Sequence, residues 1–436
     1  MHRKFAKTAP LGWNSWDCFG AGVTEKQLKE NADYMAKYLK EYGWEYIVCD
    51  IQWYEPKAKD NDYFNFTPVC LDEYGRVIPA ENRFPSAAGG KGFKEIADYC
   101  HNLGLKFGIH IMRGIPRQAV HADMPIKNSK FTAREAAHHF SVCSWNTDMY
   151  GLKNCEAAQD YYNSIIELYS GWGVDFIKCD DICVTEFRQW DNPYSADYEI
   201  EMIRKAIDHC GREIVLSLSP GPAHIENADH LAKNANMWRM TGDFWDQWSK
   251  LYDMFDRCYL WQDKVRPGNY PDCDMLPLGR LSKNGTCHGP QDRMTQFTKP
   301  EQRTMMSLWG IFKSPLMMGG HMPDNDEWTL SLLTNDEYMK MHRTAYGAHQ
   351  HSRNEKNGKG DIIWVANGKG CKYAALFNTR DKAYTVKLDL TEILMPDEKY
   401  VIYDIWNKKQ LGEFKNSFKA VIPPHGAGLY KITVGL

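Results

Sequence analysis

The sequence predicts an α/β fold: a (β/α)₈ TIM barrel followed by a C-terminal all-β antiparallel sandwich. Two observations carry that prediction. Up to about residue 343, short apolar runs alternate with amphipathic helical stretches, the pattern of repeated β-α units. Beyond it the texture changes to short alternating strands separated by Asn, Asp, Gly and Pro, the pattern of a sandwich.

Taken in order, residues 24–42, 93–104, 157–171, 196–211 and 244–260 carry apolar side chains at three-to-four spacing, and several of these stretches end at glycine. Residues 11–16, 46–50, 105–111, 174–180, 213–217 and 237–241 read as buried parallel strands. An irregular seventh falls in 264–275 and an eighth in 314–318. Eight β-α units fit a closed barrel over 1–343 better than an open sheet. Over 344–436, strands are expected at 361–366, 372–377, 383–388, 399–405, 418–422 and 428–433, and the polar segment 351–360 reads as a turn. The connection 113–153 shows no strand. A loop of that length in a compact domain is usually functional, and one that follows a barrel strand belongs to the active-site face.

Composition narrows the function. The net charge of -3 gives no electrostatic reason to expect a nucleic acid partner. No apolar run approaches membrane-spanning length, so no membrane partner is expected. The 13 cysteines are odd in number and irregularly spaced, which suits neither a disulfide framework nor a zinc site. With a short basic start lacking an apolar segment, they point to a reducing, cytoplasmic setting. The 15 Trp and 24 Tyr are a high aromatic load, apt for stacking on sugar rings, although most such rings are core in any protein.

Chemistry should sit at the C-terminal ends of the barrel strands. Asp50, His110, Asp180, Asp181, Arg239 and Asp243 all lie at or just beyond such ends. Along Lys178-Cys179-Asp180 the strand alternation turns Lys178 and Asp180 to the same side, into the barrel, and Asp181 to the other. A lysine beside a carboxylate keeps it ionised, as a nucleophile requires; a structural Lys–Asp pair fits the same spacing. Asp243 follows a glycine before the next helix, where it is either an acid/base or that helix's N-cap. Two carboxylates about 5–5.5 Å apart would make a retaining glycosidase.

These residues carry a resemblance to glycoside hydrolase family 27, the α-galactosidase and α-N-acetylgalactosaminidase family. It runs through Pro10-Leu11-Gly12-Trp13-Asn14-Ser15-Trp16, Arg83-Phe84-Pro85, Trp172-Gly173-Val174-Asp175, Lys178-x-Asp180, Trp238-Arg239 with Asp243, Pro271-Asp272-Cys273-Asp274-Met275-Leu276, and Ser314-Pro315-Leu316. The resemblance implies an exo-acting hydrolase of α-galactoside-like residues that retains configuration through a covalent glycosyl-enzyme, without metal or organic cofactor. It implies Asp180 as nucleophile, Asp243 as acid/base, Trp16 as the aromatic floor under the sugar, and Asp50, Lys178, Arg239 and Asp274 as polar sugar contacts.

The departures bear on the sugar. The family usually has two adjacent acids after strand two, holding O4 and O6 of galactose; here the pair is Asp50-Ile51. His110 stands where strand three usually ends in Tyr. Ser217-Leu218-Ser219-Pro220-Gly221-Pro222-Ala223 replaces a Cys-Glu-Trp-Pro pattern, and small residues such as Ser219 and Ala223 leave room for a 2-acetamido group. Ile182 replaces a cysteine past the nucleophile, so the disulfide of secreted members is not expected. Arg113 and Arg117, with His110, either meet an unusual substrate or brace the long loop. The expected partner is therefore a carbohydrate: an α-galactoside, an α-N-acetylgalactosaminide or a β-L-arabinopyranoside, which is galactose without its C6 arm. Two other readings of the same residues are a non-catalytic sugar-binding barrel and a metal-dependent hydrolase using His110, Asp50 and Asp180.

Overall fold

The computed structural model describes residues 2–60, 63–184, 197–219, 221–285, 289–395 and 398–435. Pro220 and the first residue of the expected 196–211 helix lie outside the described residues. The chain divides into two compact units: Met1–Asp243 with Arg266–Met294 and Leu316–Asn325, and Phe244–Val265 with Thr295–Pro315 and Asp326–Leu436.

The first unit holds eight parallel strands: β1 (Leu11–Asn14), β2 (Tyr46–Cys49), β3 (Lys106–Met112), β4 (Phe176–Asp180), β5 (Val215–Leu218), β6 (Met237–Arg239), β7 (Tyr270–Asp272) and β8 (Leu316–Met318). Their order in the sheet is β7-β6-β5-β4-β3-β2-β1-β8. A parallel bridge from Leu276, just past β7, to Met318 brings the two edges together, with Leu276 N–H donating to Met317 O at 2.7 Å. The curled sheet is the (β/α)₈ barrel of the sequence reading. Most of its strand residues are fully buried, because a sheet wrapped by helices has no solvent face.

The connection after β3 departs from the expectation. It is not strandless: Ile115–Pro116, Ala137–Val142 and Met149–Leu152 form a three-stranded antiparallel sheet with short helices at Arg117–His121 and Ala133–Ala136. These strands are short, and the middle one reads Ala-His-His-Phe-Ser-Val with both a histidine and Phe140 exposed, so no apolar alternation marks it.

The second unit combines the helices Trp248–Trp261, Lys299–Phe312, Glu327–Leu333 and Asp336–Thr344 with a β sandwich. A six-stranded antiparallel sheet runs, in spatial order, Tyr346–Lys356, Lys359–Gly368, Cys371–Asn378, Ala427–Val434, Tyr400–Asp404, Lys409–Phe414. Tyr384–Asp389 pairs with Ser417–Ile422 in a two-stranded sheet. Ile363, Leu376, Val386, Leu388, Ile402, Phe418 and Ile432 meet in the core. The segment 351–360 is mostly strand rather than turn; only Asn357 and Gly358 turn, both at positive φ. Its strand lies at the sheet edge with a largely polar, half-exposed sequence, which is why it reads as a turn in the sequence. The edge strand Lys409–Phe414 escaped notice for the same reason. Among the described residues no helix is long and apolar enough to cross a membrane.

Candidate active site

The barrel register fixes the site. His110 on β3 lies opposite Lys178 on β4, and Lys178 lies opposite Ser217 on β5, so neighbouring strands place their side chains in one layer. Lys178 Nζ donates to Asp50 Oδ2 at 2.8 Å, and Asn14 Nδ2 donates to the same oxygen at 2.6 Å. Asp50 Oδ1 accepts the Ile51 N–H at 2.8 Å, and the Asp50 N–H donates to Ser15 Oγ at 2.9 Å. Asp50 is buried. Burial alone would raise its pKa, but the charges of Lys178 and His110 and the bonds from Lys178 and Asn14 outweigh it and hold the carboxyl below its ordinary range.

Asp180 is bonded on both oxygens. His110 Nε2 stands 3.0 Å from Oδ2, and the Asp181 N–H donates to Oδ1 at 2.8 Å. A carboxylate accepts only, so the imidazole carries its proton on Nε2. Burial pushes Asp180 up; the His110 bond, then the charges of His110, Lys178 and Arg239, bring it below its ordinary value. Lys178, in turn, is desolvated yet raised to about 12 by Asp50 and Asp180. The direct ion pair of Lys178 is thus with Asp50 rather than with its strand neighbour Asp180.

Asp181 faces elsewhere, as the strand parity required. It sits at φ 53° and pairs with Arg113 Nη2 at 3.0 Å. Arg113 Nη1 also bonds buried Glu199 at 3.1 Å, and the Tyr162 hydroxyl donates to Glu199 Oε2 at 2.6 Å. Arg113 therefore braces the start of the long connection. Arg117 lies over the rings of Phe66 and Tyr150, 4.7 and 4.9 Å from their centroids, and bonds Thr147 O. His110 is the one of the three at Asp180.

Arg239 links the remaining carboxylates. Its Nη2 donates to Asp243 Oδ1 at 2.7 Å, and Nη1 lies 3.5 Å from Asp274 Oδ2. Burial opposes its charge, but Asp274, Asp243 and Asp180 together raise its pKa. One guanidinium thus feels both Asp180 and Asp243, which places the two acids at the same end of the barrel. The Asp243 side chain is 62% exposed, whereas that of Asp180 is 12% exposed. Asp243 caps no helix: the next one starts at Trp248, behind Gln247.

The remaining expected residues fall around this cluster. Trp16 begins the short helix after β1 and lies parallel to Tyr63, with centroids 6.0 Å apart and planes at 10°. Tyr63 in turn meets Trp145 of the long connection at 5.4 Å. Ser219 is buried, with its N–H donating to Cys179 O at 2.7 Å and its Oγ without a hydrogen-bond partner among the described residues. The segment after β5 runs close under the one after β6: a Cβ at Gly221 would come 2.3 Å from Thr241 O, so only glycine fits there. Cys179 and Cys183 are buried free thiols.

Sequence reasoning passed over several residues. Asn14 holds Asp50. Asp272 ends β7 and accepts the Asp274 N–H at 2.9 Å; burial, then Asp274, raise its pKa to about 7. Gln52 Nε2 donates to Asp148, tying the segment after β2 to the long connection. Burial raises Asp148 against the bonds it receives from Gln52, Asn146 and Tyr54. Asn14 and Asp272 were legible by the rule already applied, a polar residue closing an apolar barrel strand. Asp148 carried no such mark.

Comparison with known proteins yields a consistent picture. The family model described as alpha galactosidase A matches residues 146–343, and that of the alpha galactosidase C-terminal beta sandwich domain matches 359–432. The crystal structure of a GH27 β-L-arabinopyranosidase from Geobacillus stearothermophilus is 54% identical, covering 99% of this chain and 98% of that one, with a TM-score of 0.95. A candidate α-N-acetylgalactosaminidase from Bacillus halodurans is 51% identical, covers 98% of each chain and has a TM-score of 0.87. The α-galactosidase of Coffea arabica is 26% identical over 98% of this chain and 94% of its own.

Proposed function

The chain belongs to glycoside hydrolase family 27, and on that premise we propose that it hydrolyses terminal β-L-arabinopyranosides, with Asp180 as nucleophile and Asp243 as general acid/base. The observation that carries the reaction is the position of Asp180. It is buried, kept ionised by His110, Lys178 and Arg239, and bonded on each oxygen by one donor among the described residues, which leaves a lone pair for attack.

In the first step an Asp180 oxygen bonds to the anomeric carbon while Asp243 gives its proton to the departing glycosidic oxygen. In the second, Asp243 takes a proton from water, the oxygen of that water bonds to the anomeric carbon, and the Asp180 ester bond breaks with overall retention. The exposure of Asp243 suits a group that meets both leaving group and water. Asp50 and Lys178, locked together, would hold ring hydroxyls, with Arg239 and Asp274 opposite and Trp16 beneath. His110 would orient the nucleophile.

Ile51 supports the choice of sugar. It is buried beside Asp50 where family members have a second acid for O6. A β-L-arabinopyranoside shares the ring configuration of an α-D-galactopyranoside and lacks the C6 arm, so it needs no acid there. The activity named for the relative at 54% identity agrees. Buried Ser219 and Ala223, both small, favour a second reading, an α-N-acetylgalactosaminide.

A panel of p-nitrophenyl glycosides separates these readings. The arabinopyranoside should exceed the α-galactoside in kcat/KM by about tenfold or more, the scale of a misplaced polar or methylene group. A galactoside preference would overturn the sugar assignment, an acetamido preference would favour the second reading, and binding without turnover of any member would leave a sugar-binding barrel.

A further inference from the structure

The second unit contains a cavity of about 250 Å³ formed entirely from its own residues. One wall is the start of the helix Lys299–Phe312. A capping box fixes that start, with Thr298 N–H donating to Glu301 Oε2 at 2.8 Å. Lys299 and Arg303, four residues apart, therefore share one helix face. Both stand over the indole of Trp328, with Lys299 Nζ 4.9 Å and Arg303 Cζ 5.0 Å from the ring centroid. The indole is held by its own N–H, which donates to Gln302 Oε1 at 2.9 Å.

Two like charges at this spacing repel, and among the described residues neither forms an ion pair. Arg303 feels the charge of Asp404, but both oxygens of that carboxylate are engaged by Asn407, through its N–H at 3.0 Å and its Nδ2 at 2.8 Å. Arg303 Nε is buried without an acceptor among the described residues. The facing wall is rigid and flat: Trp406 donates from Nε1 to Ser307 Oγ at 2.8 Å and stacks on Tyr338, 5.1 Å between centroids.

Two cations against one carboxylate leave the cavity net positive, with an indole wall beside it. An oxyanion answers the charge, and the C–H face of a pyranose answers the wall. We propose that this cavity binds a carboxylate-bearing sugar residue, a uronate. The proposal does not depend on which glycoside the barrel cleaves.

The test is titration of the full-length protein with sodium D-galacturonate, and separately with inorganic phosphate, followed by ligand-observed NMR. Galacturonate should bind, and Arg303→Gln should weaken it about tenfold or more, the loss of a charge-assisted bond. Lys299→Gln, an exposed substitution that spares the fold, should weaken it less. Turnover of an uncharged aryl arabinopyranoside should be the same in all three proteins. Failure of galacturonate to bind overturns the proposal, and so does binding that neither substitution changes. Binding of phosphate alone overturns the saccharide assignment.

Discussion

At the barrel mouth Asp50, His110, Asp180 and Arg239 are buried and Lys178 is partly so, yet each is tied to another by a hydrogen bond or a charge. The sandwich core around Leu376 and Ile402 gathers apolar and aromatic side chains. The two regions are stabilised by different means. In the sandwich each side chain contributes through area removed from water, nearly independently of its neighbours. At the mouth a charge is tolerable only while its partner is present, since desolvation of an unpaired ion outweighs anything burial offers. Substitutions should therefore act locally in one region and propagate in the other.

The largest effect should come from Asp180→Asn. It is close to isosteric and keeps one of the two hydrogen bonds, from His110 or from the Asp181 N–H, but its amide cannot attack. Turnover of p-nitrophenyl β-L-arabinopyranoside should fall on the order of 10⁴-fold or more, with a lower melting temperature from the bond that is lost. Lys178→Met should strand Asp50 and destabilise the protein by about 3–5 kcal/mol, with activity lost as well. The double variant Asp50→Asn/Lys178→Met should recover much of that stability and none of the activity, a coupling that thermal unfolding of the wild type, both single variants and the double variant would measure. In the sandwich, Leu376→Ala should lose about 2–5 kcal/mol to a cavity while kcat stays unchanged.

The smallest effect concerns pH. Asp50 and Asp180 have depressed pKa values, so their contribution is complete above the ordinary carboxylate range and is lost as pH falls through the folded values. Asp272 runs the other way. Its pKa rises from 3.8 to about 7, so its contribution is complete below 3.8 and is lost as pH rises through about 7. Asp272→Asn should flatten the decline in melting temperature over that interval. An unchanged slope would mean that Asp272 is ionised throughout.

Strand ends made much of the site legible. An ionisable residue closing an apolar run is anomalous enough to be seen without coordinates, and Asp180, Arg239 and His110 were found that way. The parity of Lys178, Asp180 and Asp181 also held, because side chains alternate along any strand. Partner choice was not legible. Nothing in the spacing says that Lys178 pairs with Asp50, 128 positions away, rather than with Asp180 two positions away; the barrel register decides it. The sheet within 113–153 was hidden because its strands are short and the longest shows no apolar alternation, and edge strands of the sandwich such as Tyr346–Lys356 were hidden because one side of them faces water. Asp148 gains its place through Gln52 and Tyr54, the first a contact between segments 96 positions apart.

Retention requires one covalent bond to Asp180, and trapping that bond is its most direct test. The enzyme would be treated with a cyclitol aziridine of galacto configuration lacking the C6 hydroxymethyl group, digested, and mapped by mass spectrometry. A single ester on Asp180, formed at a rate that the substrate slows, is the predicted result. A label on Asp181 or Asp243, or a first-formed product of inverted configuration from the normal substrate, would contradict it.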